Sequence, residues 1–244
     1  MRLDLFLTNG MFCDSRNKAR TIIQSARVYV NGKLVTKPSF DVNECDNVIV
    51  EDSKEHEFVG RGGNKLEHAF SSFNFSADGK TCLDIGASTG GFTECLLIHG
   101  AKCVYAVDSG KNQLAASLRC DDRVISIEGF NARGLTPDTL SGNFMDIIVM
   151  DVSFISQKLL YPAILGVAKP GCDVITLIKP QFEVGKELIG KKGIVKDDRI
   201  KKKVVSDIIS YAEQMGFEYI AHTDSPILGG DGNQEFLLHL KVKF

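Results

Sequence analysis

A chain of 244 residues, 43% hydrophobic and 25% charged with a formal net charge of −2, has room for one large globular domain and a small one, and its charge balance excludes a chain-wide attraction to nucleic acid. Seven scattered cysteines without a C-x-x-C pair and five histidines without ligand spacing argue against a disulfide framework or a metal site, and for reduced thiols in a cytoplasmic protein. The opening apolar run is too short for a secretory signal, and no stretch approaches the ~20 apolar residues of a spanning helix, so no membrane role is expected.

The first 57 residues differ from the rest. Ser15 caps an expected helix reaching Ser25 or Ala26, with Ala19, Ile22, Ile23 and Ala26 as its apolar stripe. Arg16, Arg20 and Arg27 fall together beside that stripe. Val28–Val35 reads as a hairpin about an Asn31-Gly32 turn, and residues 47–50 as a closing strand. Residues 1–40 hold seven basic side chains against two acidic ones, a local footprint for phosphates or, on charge alone, a solvated helix face. The stretch "DLFLTNGMFCDSRNKARTIIQSARVYVNGKLVTKP" resembles the S4 RNA-binding domain, a small α+β fold of two short helices and a hairpin carrying V-x-V-N-G-K. That resemblance implies that Arg16, Lys18, Arg20, Arg27 and Lys33 face RNA.

Residues 51–60 are charged and aperiodic and read as a linker. The second domain is expected over 58–244. Its strands are expected at 81–85, 102–107, 123–127, 145–150, 173–178, 217–222 and 235–242, its helices at 65–73, 91–99, 111–118, 155–168 and 198–215. The short, almost continuously apolar early strands suit a parallel sheet covered on both faces. Alternating strand and helix implies a doubly wound, Rossmann-like α/β sheet of seven strands, with ligands at the carboxyl ends of the strands.

The turn after the first of these strands reads Gly86-Ala-Ser-Thr-Gly-Gly91. Glycines here let the backbone approach a ligand closely. Three ligands compete for it. The spacing is not the G-x-G-x-x-G of a dinucleotide site, and Phe92 stands where a triphosphate P-loop needs lysine. S-adenosylmethionine, with a sulfonium and no phosphate, has no use for that lysine. Gly86, Ser88, Gly90 and Gly91 would form its cradle, Asp84 would accept from its ammonium directly or through water, and Asn131 would lie near its adenine. Asp108 ends the second strand, about 20 residues on, where an acid takes ribose hydroxyls in such folds. The alternative for Asp84 and Asp108 is capping of strand ends.

Asp151 and Lys179 end the fourth and fifth strands on the same edge, and a charge directly after an apolar strand needs a partner. Lys65 sits near a helix start, where the dipole disfavours a cation; plain solvation is its other explanation. Glu235 opens the last strand after a glycine-rich loop. With "VGRGGNKLEHAF", "LDIGASTGGFTECLL", "YAVDSG", "IVMDVSFIS", "LIKPQFEVGK" and "SPILGGDGNQEFLL", the chain resembles the hemolysin A (TlyA-type) family of ribosomal-RNA ribose 2′-O-methyltransferases, an S4 domain ahead of an FtsJ-like methyltransferase domain. The resemblance covers almost the whole chain. It implies a catalytic tetrad of Lys65, Asp151, Lys179 and Glu235, a cofactor contact for Asp151, S-adenosylmethionine as donor, and a cytidine of ribosomal RNA in the ribosomal subunits as target.

In that mechanism Lys179 is the candidate base for the 2′-hydroxyl. Flanking carboxylates raise a lysine's proton affinity and a second lysine lowers it, so a protonated Lys179 that only holds the oxygen is the other option. Residues 186–203 carry eight basic side chains against three acidic ones; RNA contact is expected from 186–196 and a solvated helix face from 198 on. A non-catalytic RNA-binding factor and a membrane-acting hemolysin are the competing functions. The intact tetrad opposes the first and the lack of a strongly amphipathic or spanning segment the second.

Overall fold

The computed structural model describes residues 1–10, 12–13, 15–24, 27–43, 45–50, 58–190, 193–230 and 232–243. The expected helix end at Ser25 or Ala26, linker residues 51–57, Lys191, Lys192 and the Lys186 side chain lie outside the described residues. The chain divides into two compact units, Met1–Glu57 and Phe58–Phe244.

The first unit packs helices α1 (Leu3–Asn9) and α2 (Arg16–Gln24) on strands β1 (Val28–Val30), β2 (Lys33–Leu34) and β3 (Val48–Val50). The strands form an antiparallel sheet in the order β2-β1-β3. Ser15 caps α2 by accepting the Lys18 amide at 3.3 Å. The stripe residues Ala19, Ile22 and Ile23 are buried against Leu3, Leu7, Val28 and Val30. Asn31 and Gly32 have φ of 51° and 75°, the paired left-handed conformation that a tight hairpin turn needs.

The second unit comprises α3 (Gly62–Ser72), β4 (Thr81–Ile85), α4 (Gly91–Ile98), β5 (Cys103–Asp108), α5 (Ala116–Arg119), β6 (Val124–Glu128), β7 (Met145–Met150), α6 (Tyr161–Val167), β8 (Ala168–Ile178), α7 (Pro180–Glu183), α8 (Asp198–Met215), β9 (Phe217–Asp224) and β10 (Phe236–Val242). One seven-stranded sheet runs β6-β5-β4-β7-β8-β10-β9. β4 to β8 are parallel, and β10 enters antiparallel between β8 and β9. Strand residues alternate between two cores. Ile148, Met150 and Val174 pack with α6 and α8, while Ile147, Val149 and Ile175 pack with α3 and α4. Burial on both faces is why these strands read as unbroken apolar runs.

Two helices are shorter than the pattern predicts. The expected helix at 111–118 is reduced to α5, because the amides of Asn112, Gln113 and Leu114 donate to the Glu128 carboxylate instead of continuing a helix. The expected helix at 155–168 begins with a separate 3-10 turn at Gln157–Leu159, and α6 starts at Tyr161. There the Ser156 hydroxyl and the Gln157 amide donate to the two carboxylate oxygens of Glu183 at 2.6 and 2.9 Å, pinning the loop.

Gly90 has φ of +100° and caps the start of α4. A Cβ there would meet the Leu114 and Leu118 side chains at clash distance. Gly90→Ala should therefore lower stability by about 1–3 kcal/mol in a thermal or denaturant melt, from strain and overpacking together.

Candidate active site

The carboxyl ends of β4, β5 and β7 are stitched level. The Gly86 and Ala87 amides donate to the Val107 carbonyl at 2.8 and 3.1 Å, and the Asp151 amide donates to the Ile85 carbonyl at 3.0 Å. A Cβ on Gly86 would strike the Asp151 carbonyl oxygen, so only glycine permits this approach. Ser88 is left-handed with φ of 49°. Its amide reaches Asp108 Oδ2 at 2.8 Å, and the Gly110 amide reaches Asp108 Oδ1 at 2.7 Å.

Two cavities open at this edge. The larger, about 450 Å³, is lined by Gly86, Ser88, Asp108, Asn131, Asp151 and Phe154 among others. Its lining includes two carboxylates and no lysine, arginine or histidine. The smaller, about 250 Å³, is lined by Lys65, Lys179, Glu235, Asp151, Gly91 and Arg61 among others. Gly86, Ser88 and Asp151 belong to both.

The four residues expected to work together do meet. Lys179 Nζ lies 2.6 Å from Asp151 Oδ1 and donates to Ser153 Oγ at 2.8 Å. Lys65 Nζ lies 2.6 Å from Glu235 Oε2 and 3.8 Å from Asp151 Oδ2. The Lys65 side chain is only 9% exposed, which removes the solvation reading. Its charge sits in the first turn of α3, against the helix field, and Glu235 and Asp151 supply the compensation. Two ammonium and two carboxylate groups make the cluster neutral, the condition under which buried charges are tolerated.

Other expected cofactor residues separate. Gly86, Ser88, Gly91, Asp108, Asn131 and Asp151 line the cavities; Asp84 and Gly90 line neither. Gly90 serves packing. Asp84 is fully buried behind the turn, accepting from the Thr93 hydroxyl at 2.7 Å through Oδ2 while Oδ1 has no hydrogen-bond partner. Asn131 also accepts from the Arg133 amide at 3.1 Å, capping a short turn. In the first unit, Arg16 and Arg20 are engaged by the buried Asp4 carboxylate, and Lys33 is exposed on the hairpin.

Three site residues escape the sequence reading. Ser153 holds Lys179, Arg61 lines the smaller cavity, and Phe154 is 91% exposed at the larger cavity with φ of 64°. An exposed aromatic in a left-handed conformation is strained. Its ring lies 5.1 Å from that of Phe182.

Away from these cavities the fold gathers Glu67, Cys95 and His99, with ligand-type atoms within 4.8 Å of one another. Cys95 and His99 stand four apart on α4 and its C-cap, whereas Glu67 comes from α3, so the sequence alone does not bring the three together. All seven cysteines are unpaired. Among the described residues, no helix is long and apolar enough to cross a membrane.

Burial pushes the Asp84 carboxyl up to about 7, against the opposing hydrogen bond from Thr93. A folded-state value above the unfolded one means stability present at low pH and lost as pH rises through about 7. Relative to wild type, Asp84→Asn should gain stability between the ordinary carboxylate range and neutrality, with a slope approaching ~1.4 kcal/mol per pH unit, measured by denaturant melts. A pH-independent difference would mean that Asp84 ionises normally.

The FtsJ-like methyltransferase model matches residues 58–242, and the S4 domain model matches residues 1–48. Hemolysin A of Brachyspira hyodysenteriae is 45% identical over 243 residues, covering 99% of this chain and 100% of that protein. The 16S/23S rRNA (cytidine-2′-O)-methyltransferase TlyA of Mycobacterium tuberculosis is 40% identical over 242 residues, covering 99% of this chain and 90% of its own. Among solved structures, the "Putative hemolysin from Streptococcus thermophilus" superposes with a TM-score of 0.77 at 39% identity, covering 100% of this chain and 88% of that one. With two domain matches in the same order and full-length relatives, the chain belongs to the hemolysin A/TlyA family of FtsJ-like methyltransferases that carry an S4 domain in front.

Proposed function

We propose that this methyltransferase transfers a methyl group from S-adenosylmethionine to the ribose 2′-hydroxyl of a cytidine in ribosomal RNA. The observation that carries this reading is the position of Asp151. It lines the acidic larger cavity and also pairs with both lysines in the smaller one. One carboxylate therefore faces the donor's side and the acceptor's side together. The M. tuberculosis relative's activity supports the RNA substrate and the cytidine.

The larger cavity fits the donor. Two carboxylates without a cationic side chain in its lining favour a cation and leave a polyphosphate unmatched. Asp108, held by two backbone amides, keeps lone pairs for ribose hydroxyls. The unpartnered Oδ1 of Asp84 suits an ammonium reached through water. When bound, S-adenosylmethionine supplies the electrophilic methyl group.

The remaining work falls to the chain. Lys179, steadied by Asp151 and Ser153, meets the 2′-hydroxyl in the smaller cavity; having first released its own ammonium proton to solvent, its neutral amine accepts the hydroxyl proton. Lys65 faces the other oxygen of Asp151 at 3.8 Å, so the two lysines share one carboxylate. Glu235 keeps Lys65 in place. Most of the acceleration comes from positioning and from the fixed charge of Asp151. Phe154 offers the target base an exposed aromatic face at the cavity mouth. Arg16, Lys18, Arg20, Arg27 and Lys33, with Lys196 of the basic loop, hold RNA backbone.

Incubating purified protein with tritiated S-adenosylmethionine and ribosomal subunits should place label in rRNA at a 2′-O-methylated cytidine. Label confined to other RNAs would overturn the substrate assignment. Lys179→Arg keeps the charge without a usable base. It should lower kcat by about 10²–10⁴-fold with cofactor affinity nearly unchanged, and full activity would refute the base role.

A further inference from the structure

We infer that Asp4 is a positioning residue for RNA binding, its buried carboxylate assembling Arg2, Arg16 and Arg20 into one pre-formed phosphate clamp. The inference rests on the RNA-binding reading of the first unit and deepens it.

Asp4 lies in α1 with its side chain 0% exposed, whereas the side chains of Arg2, Arg16 and Arg20 are 41%, 44% and 46% exposed. Arg2 grips the carboxylate with two nitrogens, Nε to Oδ1 at 3.0 Å and Nη2 to Oδ2 at 3.1 Å. Arg16 and Arg20, one turn apart on α2, each present Nε to Oδ2 at 3.0 and 3.3 Å. The three arginines hold the Asp4 carboxyl well below the usual carboxylate range, so the group stays ionised at working pH. The clamp itself is three positive charges about one buried negative charge, with the exposed Asp41 beside Arg2 as a further acid.

Three guanidinium groups repel one another, and each is a long side chain with many rotamers. A common buried counter-ion answers both problems. A guanidinium carries five N–H donors in a rigid fork, so binding Asp4 through Nε does not exhaust it. The solvent-facing part of each fork is already fixed for a phosphate oxygen, and less ordering remains on binding. A lysine here would commit its single charged head to Asp4 and present no fork.

The proposal opposes simple charge counting, in which removing an acid from a basic face tightens RNA binding. Binding of purified rRNA to the full chain, measured across a salt series, separates the two. Asp4→Asn should bind about tenfold more weakly, with a salt slope reduced by about one for each arginine no longer held in place for a phosphate. Because Asp4→Asn can unfold the first unit, the double variant Arg16→Lys/Arg20→Lys is the companion test. It keeps the net charge and the ion pairs to Asp4, yet should bind nearly as weakly as Arg16→Ala/Arg20→Ala. If the alanine pair binds like wild type, the RNA-binding reading of this face fails, and the inference with it. If the alanine pair is weak while the lysine pair binds like wild type, or a folded Asp4→Asn binds as tightly as wild type or tighter, the reading stands and the clamp is refuted.

Discussion

The sharing of the Asp151 carboxylate between two buried lysines is the interaction on which the site depends. Its Oδ1 holds Lys179 and its Oδ2 faces Lys65, which Glu235 secures from the other side. Moving a charge out of water costs several kcal/mol unless it is paired, and removing one partner of a buried pair typically costs about 3–5 kcal/mol. The four groups are therefore a unit. Each lysine is tolerable only because both carboxylates are present, and Asp151, partly exposed at the larger cavity, has its charge balanced by the lysines.

The sheet explains how residues so far apart in sequence come together. Asp151 and Lys179 follow parallel strands β7 and β8, so both lie at the carboxyl edge. Glu235 precedes its strand rather than following it. It reaches the same edge because β10 runs antiparallel, with Phe236 opposite Ile178. A parallel last strand would put Glu235 at the far edge of the sheet. Lys65 comes from α3, whose start is pressed against the start of α4; a Cβ on Gly91 would meet the Gly60 carbonyl oxygen and the Gly63 amide at 2.8 Å. The glycines of the "GRGG" and "GASTGG" stretches thus serve close helix and strand approach as much as ligand contact.

Much of this was legible because local patterns encode it. Strands buried on both faces appear as apolar runs, and α8 spans Asp198–Met215, the range expected from the sequence. The Asn31-Gly32 turn is equally local. What escaped the sequence depends on distant partners. Glu128 captures the amides that would have lengthened α5. Lys65 is buried because of Glu235, a residue 170 positions away. Asp84 reads from its position as a ligand reached directly or through water, and its full burial behind the turn is set by the packing of Thr93 and its neighbours. Asp4 counts as a charge against RNA in a tally of basic and acidic residues, and only the packing of α1 on α2 reveals three arginines converging on it.

The two units use the same physical device, a carboxylate that gathers cations which would otherwise repel. In the first unit the cations are arginines facing solvent; in the second they are lysines facing a cavity. The dual role of Asp151 is tested most directly in one variant, Asp151→Asn, with S-adenosylmethionine affinity by calorimetry and methyl transfer at saturating cofactor measured on the same folded protein. A carboxylate that serves both cavities requires both to fall, affinity by about tenfold and transfer by at least about 10²-fold. Loss of one with full retention of the other would contradict it.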